Sequence, residues 1–234
     1  MPDIPIALKF AFIGITAALV TFILTYINRA AGEEGKRKVV LRTALLLLGW
    51  LLLTAILASR GFLDDFSSVP PRFIVVFLPA FIAMIFLSVR QPVLSLIGRG
   101  PVAWLVGIQV FRLFLELILH TLYSRGIIPQ QMTFEGLNFD IITGITAPIV
   151  AWLLHRNAPS AVRIAQIWNA MGLLLVLNIL IISLLSAPVP FQVFTEEPAN
   201  RVVAEFPFVW LPAFVVPCAI LLHIWSLRLL RQKK

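Results

Sequence analysis

The chain has 234 residues, of which 60% are hydrophobic and 13% are charged. Soluble domains carry roughly 25% charged residues, so this chain has too little polar surface to cover a water-soluble globule. The same composition excludes a disordered chain and a nucleic-acid-binding domain despite the net charge of +8, and the single cysteine, Cys218, excludes an internal disulfide.

Seven apolar runs follow one another along the chain, and a helix needs about 20 apolar residues to cross the hydrocarbon core of a membrane. They cover residues 4–27, 39–58, 73–89, 101–123, 141–155, 164–186 and 207–230. The third and fifth runs are short, and Pro148 lies inside the fifth. The pattern predicts an all-α, polytopic integral membrane protein, with one domain over residues 1–234 built as a bundle of seven transmembrane helices.

The cations are distributed unevenly between the connections of these runs. Five of the 19 Lys and Arg residues lie in one set of connections, which also holds eight of the 11 acids, while Arg112 lies inside a run. Cytoplasmic connections of membrane proteins carry the excess of Lys and Arg, so we expect the N-terminus outside and the C-terminus in the cytoplasm of a multi-pass cell (inner) membrane protein. The cytoplasmic cations are expected to contact anionic lipid headgroups. They are Arg29, Lys36, Arg37, Lys38, Arg42, Arg90, Arg99, Arg156, Arg163, Arg228, Arg231, Lys233 and Lys234.

The fourth run carries a polar stripe formed by Gln109, Arg112, Glu116 and His120. Their spacing of three, four and four residues places them within roughly an 80° arc of one helical face. An ionisable side chain at the bilayer centre is costly, so this face must point into the bundle and find partners. Two interpretations stay open. Arg112 and Glu116 form a buried ion pair that only fixes packing, or the stripe lines a cavity that opens outward.

Further polar residues are predicted to lie at the outer mouth of such a cavity. Glu135, Asn138 and Asp140 end the outer connection that follows the stripe, and Asn178 in the sixth run lies at about the depth of Glu116. With the stripe, they form the predicted ligand- or ion-binding set. The residues nearest to a metal site are His120, Glu116 and Asp140, but no cofactor is predicted.

The leading hypothesis is a transporter or channel-like protein for a small solute, ion or proton. Arg112 supplies a fixed positive charge that favours an anionic ligand, while Glu116 and His120 exchange protons. One alternative is a membrane-embedded enzyme that acts on a lipid or other apolar substrate, with Glu116 and His120 as acid and base. The other is a non-catalytic partner or sensor subunit whose stripe contacts another membrane helix.

Overall fold

The computed structural model describes residues 3–33 and 35–232, and this part of the chain contains no β-strand, which confirms the all-α class. Lys233 and Lys234, expected at the cytoplasmic face, lie outside the described residues. The α-helices of the described part are α1 (Ile6–Ala30), α2 (Lys36–Ser59), α3 (Ile74–Val89), α4 (Gln91–Ile97), α5 (Val102–Gly107), α6 (Phe111–Ser124), α7 (Ile141–His155), α8 (Ala161–Leu185) and α9 (Val216–Arg231).

Within residues 3–33 and 35–232, five helical segments are long and apolar enough to cross a membrane: Ile6–Ala30, Lys36–Ser59, Val102–Ser124, Ala161–Leu185 and Leu211–Arg231. Helices α3 and α4 count as a sixth when taken together, although they are bent by 73° at their junction. Helix α7 has only 15 residues and is shorter than any of these segments. By length and composition, the described residues therefore support five or six of the seven predicted spans.

Two of the predicted spans are interrupted by turns that are not α-helical. A 3₁₀ turn, Ile108–Val110, separates α5 from α6, and a π-helical turn, Leu211–Val215, precedes α9. The π turn is followed by Pro217, which has no N–H to donate to the carbonyl of Ala213 one turn earlier. The indole Nε1 of Trp50 donates to that carbonyl instead, at 2.9 Å.

Helix α9 lies at the centre of the bundle, where it packs against α3, α5 and α8. Helix α7 packs against α5, α6 and α8, while α1 packs against α2 and α6. Helix α2 is peripheral, and leucines such as Leu45 and Leu46 on it are 63% and 75% exposed. An apolar surface of this kind is suited to lipid rather than to water.

The connections gather at two ends of the bundle. At the loop end, formed by residues 60–73, 125–140 and 186–210, Arg201 lies 3.5 Å from Asp64. At the basic end, formed by residues 31–33, 90–101 and 156–160, the Arg29 guanidinium lies 4.9 Å from the centre of the Trp104 ring. The polar stripe of the sequence runs between these two ends, on the inner side of α6.

Candidate functional site

The polar stripe divides into a buried part and an exposed end. Gln109, Arg112 and Glu116 are each at most 1% exposed. The 3₁₀ turn and α6 pack against α7, while Arg112 reaches α8 and α9 and Gln109 reaches α9 through their side chains. His120 lies a further turn toward the loop end, and its side chain is 32% exposed. The predicted inward face is therefore found for the first three residues and ends before the fourth.

Arg112 pairs with Asp140, the residue immediately before α7. The guanidinium Nε and Nη2 each donate to a different oxygen of the Asp140 carboxylate, which is the bidentate geometry that Arg adopts with carboxylates. The interpretation of an ion pair between Arg112 and Glu116 is corrected accordingly, since the salt bridge joins residues 28 positions apart and not one turn apart.

The close approach of α7 to α6 that brings these groups together depends on Gly144. A Cβ atom at this position would lie 2.9 Å from the Cα of Leu113 and 3.0 Å from the carbonyl carbon of Arg112. Contacts this short are not tolerated, so only glycine permits this packing of the two backbones. Asp140, one turn before Gly144, is thereby held against the guanidinium.

The third nitrogen of the guanidinium engages two further helices. Nη1 of Arg112 lies 2.8 Å from His223 Nε2 on α9 and 3.5 Å from the carbonyl oxygen of Gly172 on α8. Because Arg has only donors, His223 Nε2 accepts this bond, and the imidazole is neutral with its proton on Nδ1. Nδ1 then donates to Oδ1 of Asn169 at 2.9 Å.

His223, Asn169 and Gly172 were not among the predicted site residues. His223 lies in the last predicted span and is fully buried in contact with Arg112. The sequence contains one signal for this part of the site: Asn169 and Gly172 are three residues apart and so lie on one face of α8. A Cβ at Gly172 would lie 2.7 Å from His223 Nε2, so this glycine makes room for the imidazole.

Asn138 joins Glu116 to the ion pair. Its Nδ2 donates to Glu116 Oε1 at 2.6 Å and to the carbonyl of Met132 at 3.1 Å, while its Oδ1 accepts from the backbone N–H of Asp140 at 3.1 Å. Asn138 and Asp140 were expected at an open mouth, but they are only 0% and 3% exposed. Both are instead part of the buried network, because the end of the 125–140 connection folds into the bundle.

Three buried side-chain atoms of the stripe have no hydrogen-bond partner among the described residues: Gln109 Oε1, Glu116 Oε2 and His120 Nδ1. His120 Nδ1 at least lies 3.6 Å from an oxygen of Glu135. The other end of the Gln109 amide donates to the carbonyl of Ala219 on α9 at 3.1 Å. An unpartnered buried polar atom is costly, and a carboxylate oxygen more so than an amide oxygen. Glu116 is therefore the charged residue of this network that lacks a hydrogen-bond partner for one of its oxygens.

The other predicted site residues lie apart from the Arg112 network. His120 Nδ1 is 3.6 Å from an oxygen of the exposed Glu135, and its ring stacks on Phe134. Asn178 donates to the carbonyl of Leu137 at 2.8 Å and so ties α8 to the loop end. Within the described residues, no three His, Cys, Asp or Glu side chains lie close enough together to hold a metal ion, so His120, Glu116 and Asp140 form no such centre.

A cavity of about 60 Å³ lies beside the network, with Arg112, Glu116 and Asp140 in its wall. At about 15 Å³ per water position, it has room for roughly four water molecules. Most of its other lining residues are apolar, which differs from the polar cavity that was expected. They are Phe111, Leu115, Leu119, Met132, Val176, Ile179, Leu180, Ser183, Val203, Leu211, Pro212, Val215, Val216 and Ala219.

Comparison with known proteins gives one family. Residues 69–231 match the family model described as Domain of unknown function (DUF8737), and this segment contains every side chain of the Arg112 network. No curated protein matches the chain. No solved structure matches it either.

Proposed function

This chain belongs to the DUF8737 family, and we propose from its site that it is an integral membrane transporter or channel-like protein that exchanges a proton or small cation at Glu116. The observation that carries the proposal is the unpartnered Oε2 of Glu116 in the wall of the cavity. A buried carboxylate that keeps one oxygen free can take up a proton, or a cation in place of that proton.

The distribution of charge favours a cationic over an anionic solute. The positive charge of Arg112 is compensated by Asp140, and all three of its guanidinium nitrogens have acceptors. His223 adds no charge, since its Nε2 accepts from Arg112. The group still available at the cavity is the Glu116 oxygen, so the anionic ligand expected from Arg112 is less favoured than a proton or cation.

Two interruptions of helical geometry flank the site and suit a protein that changes conformation. Gln109 of the 3₁₀ turn Ile108–Val110 donates to the carbonyl of Ala219 on α9, the helix that follows the π turn Leu211–Val215. Non-α turns within long helices often mark hinges or functional sites. Transporters commonly place their binding sites beside discontinuous helices of this kind.

For the topology we propose seven membrane crossings, an outer N-terminus and a cytoplasmic C-terminus in the cell membrane. The alternation of the connections between the loop end and the basic end supports an odd number of crossings. The cations concentrated at the basic end support its cytoplasmic side. Helices α3 and α7, with 16 and 15 residues, span only about 24 and 22 Å, a shortfall that local thinning of the bilayer accommodates.

The enzyme alternative loses one of its two acid/base groups in this arrangement. It paired Glu116 with His120, but His120 contacts Glu135 at the surface while Glu116 contacts Asn138 inside the bundle. The two side chains therefore do not form an acid and base facing the same cavity.

The proposal is tested with the purified full-length protein in liposomes loaded with a pH-sensitive dye. Proton movement is driven by a membrane potential or by a Na⁺ or K⁺ gradient. We expect faster proton movement than in protein-free liposomes under at least one of these conditions, and a loss of at least tenfold in Glu116→Gln. The control is Glu196→Gln, which removes an exposed carboxylate at the loop end and should leave the rate unchanged.

The proposal is wrong if no gradient moves protons faster than in protein-free liposomes, or if Glu116→Gln keeps the wild-type rate. Equal losses in the two variants would contradict it as well, because a general change in surface charge would then explain the effect.

A further inference from the structure

A second cavity adjoins the cavity beside Glu116. The second cavity, of about 30 Å³, shares Leu180, Ser183, Val203 and Pro212 with the first and extends to Phe73 and Phe77. The two cavities therefore adjoin along these four side chains and together extend from the buried carboxylate to the start of α3. We call this space the α3–α8 passage, because its far end lies between these two helices.

The far end of the passage reaches the lipid-facing surface. Phe77, Leu180 and Leu184 are each half-buried, and the neighbouring Ile181 on α8 is 55% exposed. Helix α9 packs against both α3 and α8, and Pro212 of the preceding π turn lines the cavity between them. The far end of the passage therefore lies where the lipid-facing surface of α8 meets the loop end.

The length of the passage corresponds to a medium alkyl chain. Along α8 its lining residues run from Val176 to Leu184, a rise of about 12 Å at 1.5 Å per residue. With roughly 1.2 Å per bond, taken from the dimensions of an extended backbone, such a distance holds a chain of about ten bonds. The walls along this distance are almost entirely apolar, which suits an alkyl chain and not a polar solute.

The chemistry at the inner end defines the head of the ligand. Glu116 Oε2 is unpartnered, its side chain is 1% exposed, and the nearby positive charge is already held by Asp140. A carboxylate head would add a net negative charge to an apolar wall, whereas an ammonium head donates hydrogen bonds and balances the charge of an ionised Glu116. The inner cavity of about 60 Å³ requires this head to be small.

We infer that the α3–α8 passage binds a lipophilic primary amine, with its ammonium group on Glu116 and its alkyl chain extending between α3 and α8. This inference rests on the proposed function and names the solute class of the same site. Binding of the ammonium ion releases the proton that Glu116 carries when empty, so one cation replaces another and the charge of the site is unchanged. Proton movement in one direction is thereby linked to amine movement in the other.

The test uses the full-length protein in detergent and four probes: decylamine, decanol, decanoate and butylamine. A ligand that binds only the folded state raises the midpoint of thermal unfolding with its concentration. We expect decylamine to raise the midpoint, with decanol and decanoate having at least tenfold weaker apparent affinity. Glu116→Gln should weaken decylamine binding at least tenfold, since it removes the negative charge and keeps the shape.

A second pair of variants tests the position of the chain. Leu184→Trp fills the outer part of the passage and should weaken decylamine binding at least fivefold while leaving the short butylamine unaffected. Leu174→Trp is the matched control, because it makes the same change on the same helix at a side chain that is 68% exposed. We expect this control to bind both amines as the wild-type protein does.

The inference is overturned if Glu116→Gln binds decylamine as tightly as the wild-type protein, if decanoate binds equally well, or if the two tryptophan variants behave alike. Its failure is distinguishable from failure of the proposed function. Proton flux that depends on Glu116 without decylamine binding refutes the amine alone, whereas absence of both refutes the exchange of cations at this site.

Discussion

The ion pair between Arg112 and Asp140 is the contact whose loss should destabilise the fold most. Replacing Asp140 with Asn keeps the size of the side chain and removes its charge. Arg112 would then be a cation that is 1% exposed, with only the neutral His223 ring, the Gly172 carbonyl and one amide oxygen as acceptors. We expect Asp140→Asn to fold but to unfold at a clearly lower temperature.

The magnitude follows from the burial of both partners, which are 1% and 3% exposed. Removing one partner of a buried, hydrogen-bonded ion pair costs about 3–5 kcal/mol, because the remaining charge stays buried without compensation. In a chain of this size, 1 kcal/mol lowers the unfolding midpoint by about 2–4 °C, so the expected decrease is on the order of 6–20 °C.

The assay is thermal unfolding of the purified protein in detergent, followed by the loss of monodisperse material. Asp64→Asn is the matched control, because Asp64 forms an ion pair with Arg201 at 3.5 Å in which the two side chains are 63% and 47% exposed. Exposed pairs contribute at most about 1 kcal/mol, so this control should lose no more than about 4 °C.

A double-mutant cycle separates the charge from the packing. Arg112→Leu and Asp140→Leu each leave one buried charge, whereas the double variant leaves none. Apolar replacement of a whole buried ion pair is often neutral, so the double variant should be more stable than either single variant. The reasoning is refuted if the two single effects simply add, or if Asp140→Asn loses no more than Asp64→Asn does.

Two further variants test other parts of the structure by thermal unfolding. Gly172→Ala places a Cβ 2.7 Å from His223 Nε2 and should lower the free energy of unfolding by about 1–3 kcal/mol through overpacking. Gly14→Ala is the control: it has no atom within 4 Å of the new Cβ and should be neutral or stabilising. Equal effects of the two variants would contradict the role given to Gly172. Burial raises the pKa of the Glu205 carboxyl, partly opposed by Lys9, so its folded state binds the proton more tightly than its unfolded state. The protein therefore loses stability as the pH rises through this pKa, because the folded state must then hold a charged carboxylate. Glu205→Gln should stabilise the protein at pH 7 but not at pH 4. An effect of this variant that does not depend on pH would contradict the reasoning.

The sequence was sufficient for those features that depend on local pattern. The apolar runs predicted the all-α class, and the limits of α7 agree with the predicted run 141–155. The spacing of Gln109, Arg112 and Glu116 predicted one inward face, and all three are buried. Such features follow from the helical repeat alone, because residues three and four apart lie on the same side of a helix.

The partners within the site could not be predicted in the same way. Arg112 had Glu116 one turn away, but its carboxylate partner is Asp140, which is positioned by the contact of Gly144 with the α6 backbone. His223 reaches Arg112 only because α8 and α9 pack closely enough at Gly172. These contacts depend on how whole helices pack, which the pattern of a single helix does not contain.

The contacts of the buried network indicate a structural role for Arg112 and a functional role for Glu116. Arg112 requires no ligand to explain its place in the bundle, since Asp140, His223 and Gly172 accept from all of its guanidinium nitrogens. Glu116 is different, because Asn138 satisfies one oxygen and leaves the other unpartnered at the cavity. The stability of the fold alone does not explain why this oxygen is left without a hydrogen-bond partner. Variants of Arg112 should therefore be detected chiefly as loss of folding, and variants of Glu116 chiefly as loss of binding or transport.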